Sequence, residues 1–233
     1  MKLLRLFNRD RYFQVMTLLL AMSLVCCAMV AFRVTYTGNA AYKFLIWNLF
    51  LAWIPLAAAY GLQKAFAHQT RQWILLMLLS GVWLLFLPNS PYILTDLIHL
   101  KGRGLSGKDI HLLYDAILIF TFALNGLLTG FVSLYWVHQV LDQLFPRRVS
   151  WLLVAGILVL TGYGVYLGRV VRWNSWDILL QPRSLLLDVL TEITHYRAFS
   201  LTALLSAFLI GCYLMMHTFI SVSRKNREVG QTP

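Results

Sequence analysis

The apolar positions of this chain fall into long runs, not into alternation or a single helical stripe. Six runs, at approximately 12–32, 44–62, 73–87, 116–141, 151–168 and 198–223, contain no Asp, Glu, Lys or Arg. A hydrocarbon core of about 30 Å takes roughly 20 residues of α-helix to cross, and most of the runs are long enough. The run at 73–87 holds only 15 residues. It has to draw length from Gln72 or Pro88, or thin the bilayer around it. The pattern predicts an all-α, polytopic membrane helix bundle. It forms one integral domain over residues 1–233, with about six transmembrane helices and short interfacial helices near 91–103 and 184–196.

Polar residues are densest at 87–100, Leu-Pro-Asn-Ser-Pro-Tyr-Ile-Leu-Thr-Asp-Leu-Ile-His-Leu. Pro88 lacks an N–H and crowds the turn before it, so it is expected to stop the third helix. Ser90 followed by Pro91 is a restart signal, a cap and then a first helical position. A helix over 91–103 would place Tyr92, Asp96, His99 and Arg103 on one face. That face must turn toward protein or water. Asp96 and His99, three apart, suit an acid–base pair, a mutual hydrogen bond or a shared metal. Two ligands do not make a metal site, and none is expected. A capped, proline-broken turn with a solvated face accounts for the same pattern.

Asp115, at the start of the fourth run, returns by topology to the membrane face of Asp96 and His99; a favourable helix dipole alone explains its position equally well. Below it, Thr121, Asn125, Thr129 and Ser133 form a polar stripe, and Gly126 and Gly130 permit close packing. A second Gly-x-x-x-Gly, Gly164 and Gly168, closes the fifth run. The second dense stretch follows at 167–177. Asn174 can cap a new helix with Asp177 three residues on. Trp173 and Trp176 fit the aromatic belt at a membrane surface. Arg169 and Arg172 can pair with carboxylates or with lipid phosphate. In the second run, Asn48 is expected to bond a neighbouring helix.

Composition sharpens the class. The chain is 59% hydrophobic and 12% charged, whereas soluble domains carry about 25% charged residues. The first run follows Lys2, Arg5, Arg9 and Arg11, but it is too long for a signal-peptide core and reads as a retained helix. The net charge of +11 is spread over all loops and both tails. Membrane lipids are therefore the expected partner, and nucleic acid is not. Helix-mediated association with further copies is open. Cys26, Cys27 and Cys212 lie inside apolar runs and read as packing residues. The glycines at 102, 104 and 107 match no phosphate or dinucleotide fingerprint, and the cofactor stays unknown from the sequence. Lys and Arg slightly favour the side of the termini, placing both in the cytoplasm of a cell membrane.

The run Leu87–Leu100, the pair Tyr114-Asp115 and the run Leu167–Asp177 resemble the bacterial membrane proteins called domain of unknown function 1361. The resemblance implies a multi-pass bacterial membrane protein and supplies no activity, substrate or cofactor. The residues themselves suggest a site at the extracytoplasmic ends of helices 3–5. Asp96, His99, Asp115 and Asp177 are its candidate acids and bases. Asn89, Tyr92, Arg169, Arg172, Trp173, Asn174 and Trp176 are candidate substrate contacts. Such a set suits a lipid-linked phosphate or glycan. A lipid-binding or assembly factor without chemistry would use the same cleft. A transporter fits less well, because only His138 and His217 place ionisable groups deep in the runs.

The six-helix reading has a direct test. Reporter fusions at residue 105 and after Pro233 should lie on opposite sides of the membrane; the same side for both would overturn it.

Overall fold

The computed structural model describes residues 2–67, 72–100 and 110–229, which are helical nearly throughout, with no strand among them. Six stretches are long and apolar enough to cross a membrane: Tyr12–Thr37, Phe44–Ala67, Trp73–Leu100, Ile110–Leu144, Arg147–Val171 and Tyr196–Ser223. Large apolar side chains such as Ile74, Met77 and Leu78 lie on the outside, as a hydrocarbon solvent requires and water would penalise.

The helices overrun the apolar runs at both ends. α1 spans Lys2–Thr37 and α2 spans Phe44–Ala67. Between them Gly38, at φ +66°, takes the left-handed conformation that ends a helix cheaply, and its N–H donates to the Val34 carbonyl at 2.8 Å. α5 (Ile110–Leu144) is the central post, packed on α1, on α2 and on residues 89–100. α6 (Arg147–Tyr166) pairs with α9 (Tyr196–Val229). Two buried clusters fill the bundle. One, around Leu56, Trp83, Leu134 and Tyr213, lies toward the termini; the other, around Cys26, Leu45, Ile93 and Phe122, lies toward the opposite end.

The third crossing is where local sequence bends the architecture. α3 is Trp73–Phe86, but Pro88 does not stop the chain as expected. Leu87 and Pro88 keep right-handed helical angles, and α4 (Asn89–Tyr92) follows directly. The short third run thus gains length from a helical continuation. Ser90 is not the cap: it is fully buried, and its hydroxyl donates to the Ala52 carbonyl at 3.5 Å. The expected α-helix over 91–103 is instead a 3-10 segment, Ile93–Leu100; Arg103 lies outside the described residues. Prolines at 88 and 91 remove two donors from the ladder. Thr95 Oγ1 then donates to the Tyr92 carbonyl at 2.6 Å, competing for the acceptor that an α-helix would use. Within this segment Ile93 and Asp96 are buried in the protein.

Glycines hold this turn from two sides. A Cβ on Gly126 would meet the Ser90 carbonyl at 2.8 Å, and one on Gly130 would meet Ser90 Cβ at 2.6 Å. From α6, a Cβ on Gly164 would meet Pro88 Cγ at 2.5 Å, and one on Gly168 would approach the Tyr92 ring at 3.2 Å. Both Gly-x-x-x-Gly pairs therefore receive the 88–93 turn. Asn125 and Ser133 of the polar stripe bond across helices: Asn125 Nδ2 donates to Ser23 Oγ at 2.8 Å, and Trp83 Nε1 to Ser133 Oγ at 3.3 Å. His138 is likewise a helix contact, with Nδ1 2.9 Å from the Tyr213 hydroxyl.

Gly164→Ala should lower the unfolding midpoint of the solubilised protein, at a cost of about 1–3 kcal/mol from overpacking. Gly156→Ala, whose Cβ meets nothing within 4 Å, should leave it unchanged or slightly raised. Equal midpoints for the two variants would mean that the turn is not gripped from α6.

Candidate functional site

The 3-10 segment delivers Asp96 into the protein. Its side chain is 1% exposed. Arg169 Nη1 donates to Oδ1 at 3.0 Å, and Asn48 Nδ2 donates to Oδ2 at 3.0 Å. Arg169 Nη2 donates to the Thr95 carbonyl at 2.9 Å, and its guanidinium carbon stands 5.7 Å from the centre of the Tyr92 ring. The guanidinium fork thus engages one carboxylate oxygen and one backbone carbonyl. Arg169 reaches this position because α6 ends in a π-helical segment, Leu167–Val171. Such insertions re-aim side chains and recur at functional positions. Arg172 closes it at φ 72°.

His99 shares a face with Asp96. Its Nε2 lies 3.8 Å from Asp96 Oδ1, close enough for ion pairing but beyond hydrogen-bond reach, and its side chain is 46% exposed. Its ring meets Phe44 edge-on, with centroids 5.1 Å apart. Asp96 is thus the buried member of the pair, and His99 is the group that solvent or a substrate can touch.

Asp115 belongs to a second ion pair. Arg33 Nε donates to its Oδ1 at 2.6 Å and Arg33 Nη2 to its Oδ2 at 3.1 Å, a bidentate clasp between buried groups. Tyr42 Oη donates to Oδ2 at 3.1 Å, and Thr37 holds another arm of the same arginine. Here the carboxylate ties α1 and the turn before α2 to α5. Breaking a buried pair of this kind costs about 3–5 kcal/mol.

Asn89 Nδ2 donates to Ser175 Oγ at 2.9 Å, and Ser175 Oγ donates to the Leu85 carbonyl at 3.1 Å, which joins the two dense stretches. Asn174 is not the cap expected of it: α7 (Asp177–Leu180) begins at Asp177 itself, with Trp176 at the N-cap and no side-chain cap, and Asp177 accepts from the Asn174 backbone N–H at 2.7 Å and from its side-chain amide at 3.1 Å. Trp176 faces Trp47, with ring centroids 6.4 Å apart. Trp173 Nε1 donates to Asp188 Oδ2 at 2.9 Å, and Tyr166 Oη to Glu192 Oε2 at 2.5 Å. Both acids sit on α8 (Pro182–Glu192), which turns its polar side to the protein and leaves Leu186, Leu187, Leu190 and the following Ile193 outside. Arg172 is exposed and makes no ion pair among the described residues.

The structure thus brings Tyr92, Asp96, His99 and Arg169 together. It joins Asn89 to the 172–177 stretch, pairs Asp177 with Asn174, and engages Asp115 with Arg33. Sequence reasoning missed Arg33, Tyr42 and Thr95 as partners. The available signal was Arg33 followed by Thr37 one turn later, a cation near a helix end opposite an acid that needed one. Among the described residues no group of three His, Cys, Asp or Glu is placed to hold a metal ion.

Six spanning helices with internally paired charges define a polytopic helical membrane protein. The chain belongs to the family described as Protein of unknown function (DUF1361), whose model matches residues 47–220. Neither a curated protein nor a solved structure matches it.

The Asp96–Arg169 pair should register in a double-mutant cycle. Asp96→Asn and Arg169→Gln should each destabilise the solubilised protein, with a coupling of about 0.5–3 kcal/mol between them. A coupling indistinguishable from zero would mean the two side chains do not depend on each other.

Proposed function

We propose that this protein sits in the cell membrane with both termini in the cytoplasm and handles a lipid-linked phosphate or glycan at its extracytoplasmic end. The observation that carries the reading is the half-exposed His99 imidazole beside a buried carboxylate whose two oxygens are already fixed by Arg169 and Asn48. This carboxylate stands 3.8 Å from the imidazole Nε2, within ion-pair reach. His99 is the acid–base group, and Asp96 is its charged neighbour. Arg169 has both terminal nitrogens engaged inside the protein, so it supports the site instead of clamping substrate. Arg172 is an exposed guanidinium on the same end, and its fork matches phosphate oxygens. Trp173 and Trp176 set the depth of this end at the membrane surface.

A lipid-binding factor that performs no chemistry is the second reading. It draws support from internal satisfaction: Asp96, Asp115, Asp188 and Glu192 all have protein partners.

The purified full chain, incubated with lipid-linked phosphates and pyrophosphates, should convert at least one of them by phosphorus NMR. His99→Ala should slow conversion by about 10²–10⁴-fold, the usual contribution of general acid–base catalysis, without lowering the unfolding midpoint. Arg172→Lys should weaken substrate binding more than turnover. Lipid that co-purifies with the wild type yet passes through unconverted sinks the enzymatic reading and favours the binder.

A further inference from the structure

Outside this site, an open groove of about 720 Å³ runs between α1 and α2. It exists because α1 packs chiefly on α5 and meets α2 only sparsely. Cys27 and Ala31 line it from α1, with Ile46, Trp47 and Phe50 from α2; Lys43 stands at its mouth. The wall residues recur at helical spacing on each helix, so the groove follows the helix axes. From residue 27 to residue 35 it runs roughly 12 Å at 1.5 Å per residue. That is most of the depth of one leaflet, about half of a 30 Å hydrocarbon core. The walls are almost wholly apolar, and the volume is in the range of a built ligand site.

Charge and polarity along the groove are ordered. The deep end, at Cys27 and Phe50, is apolar, and the mouth carries one ammonium group. Arg33, the neighbouring cation, is engaged by Asp115. Lys43 is exposed and makes no ion pair among the described residues. Trp47, partly exposed on the α2 wall, sits one turn below Lys43, where an indole marks the boundary between tails and headgroups.

We propose that this groove seats one acyl chain of an anionic glycerophospholipid, with the phosphate held by Lys43. The chain lies along the axes between α1 and α2 and replaces the contacts that those helices do not make with each other. The bound lipid completes the bundle on the face where α1 would otherwise stand away from α2. This inference does not depend on any chemistry at His99.

Photo-crosslinking tests it. The full chain, reconstituted in nanodiscs, is irradiated with phosphatidylglycerol or phosphatidylcholine carrying a diazirine on one acyl chain, and the labelled peptides are sequenced. Phosphatidylglycerol should label residues 27–35 and 43–50 above the other helices, about fivefold more than phosphatidylcholine does, since one Lys near a membrane surface contributes about 1 kcal/mol toward an anionic lipid. Lys43→Glu should abolish that preference while leaving the phosphatidylcholine signal unchanged. Ala31→Trp, a change at an exposed wall position, should remove labelling of the groove at an unchanged unfolding midpoint. Uniform labelling over all lipid-facing helices, equal labelling by the two lipids, or groove labelling that survives Ala31→Trp would each overturn the proposal. Lys43→Glu keeps it falsifiable if the tryptophan variant does not fold.

Discussion

The fold depends on a backbone-to-side-chain contact that only glycine permits. The turn at 88–93 enters a space bounded by α5 on one side and α6 on the other, and four missing side chains make that space. With Cβ atoms at 130 and 164 the walls would stand within 2.6 Å of Ser90 and Pro88, distances that packed atoms do not sustain. The Asp96–Arg169 pair hangs from this seat. Asp96 is buried because the 3-10 segment that carries it continues directly from the gripped turn. Arg169 meets it because α6, the helix that supplies the second pair of glycines, continues into the π-helical segment.

The prolines have a related but separate effect. They do not end the third crossing; they change its hydrogen-bond pattern. A continuous α-helix through 86–100 would turn about 100° per residue, and successive polar groups would drift around its axis. In a 3-10 segment, residues three apart eclipse one another. Ile93, Asp96 and His99 then form one column, which passes from full burial through a buried carboxylate to a half-exposed imidazole. The column crosses from protein interior to surface within two turns, which is why a buried acid and an accessible base can be neighbours here.

Much of this was legible in the residues, and the limits are instructive. Apolar run length alone identifies six spans, because hydrocarbon tolerates little else. The run boundaries were less legible: Arg33 lies outside an apolar run and reads as the start of a loop, yet α1 continues to Thr37 around it. A charged residue inside a helix looks like a helix end whenever its partner, here Asp115, is distant in sequence. The same limit applies to Asn48, whose helical location and need for a partner were readable but whose partner, Asp96, was not. The two Gly-x-x-x-Gly pairs announced close approach without naming what approaches, and each proved to receive the same non-ideal turn. The contact between Asn174 and Asp177 was readable because it is local.

The ion pair between Asp96 and Arg169 also has a direction in time. The two residues are 73 positions apart. At roughly 5–20 residues per second of synthesis, the acid is polymerised on the order of 4–15 seconds before its arginine. During that interval the carboxylate has Asn48, already made, and its own His99, but no cation fixed inside the bundle and no α6 glycines to seat the turn that carries it. The surroundings of Asp96 are therefore complete only once the fifth crossing, with Arg169 and the glycines of α6, has been made.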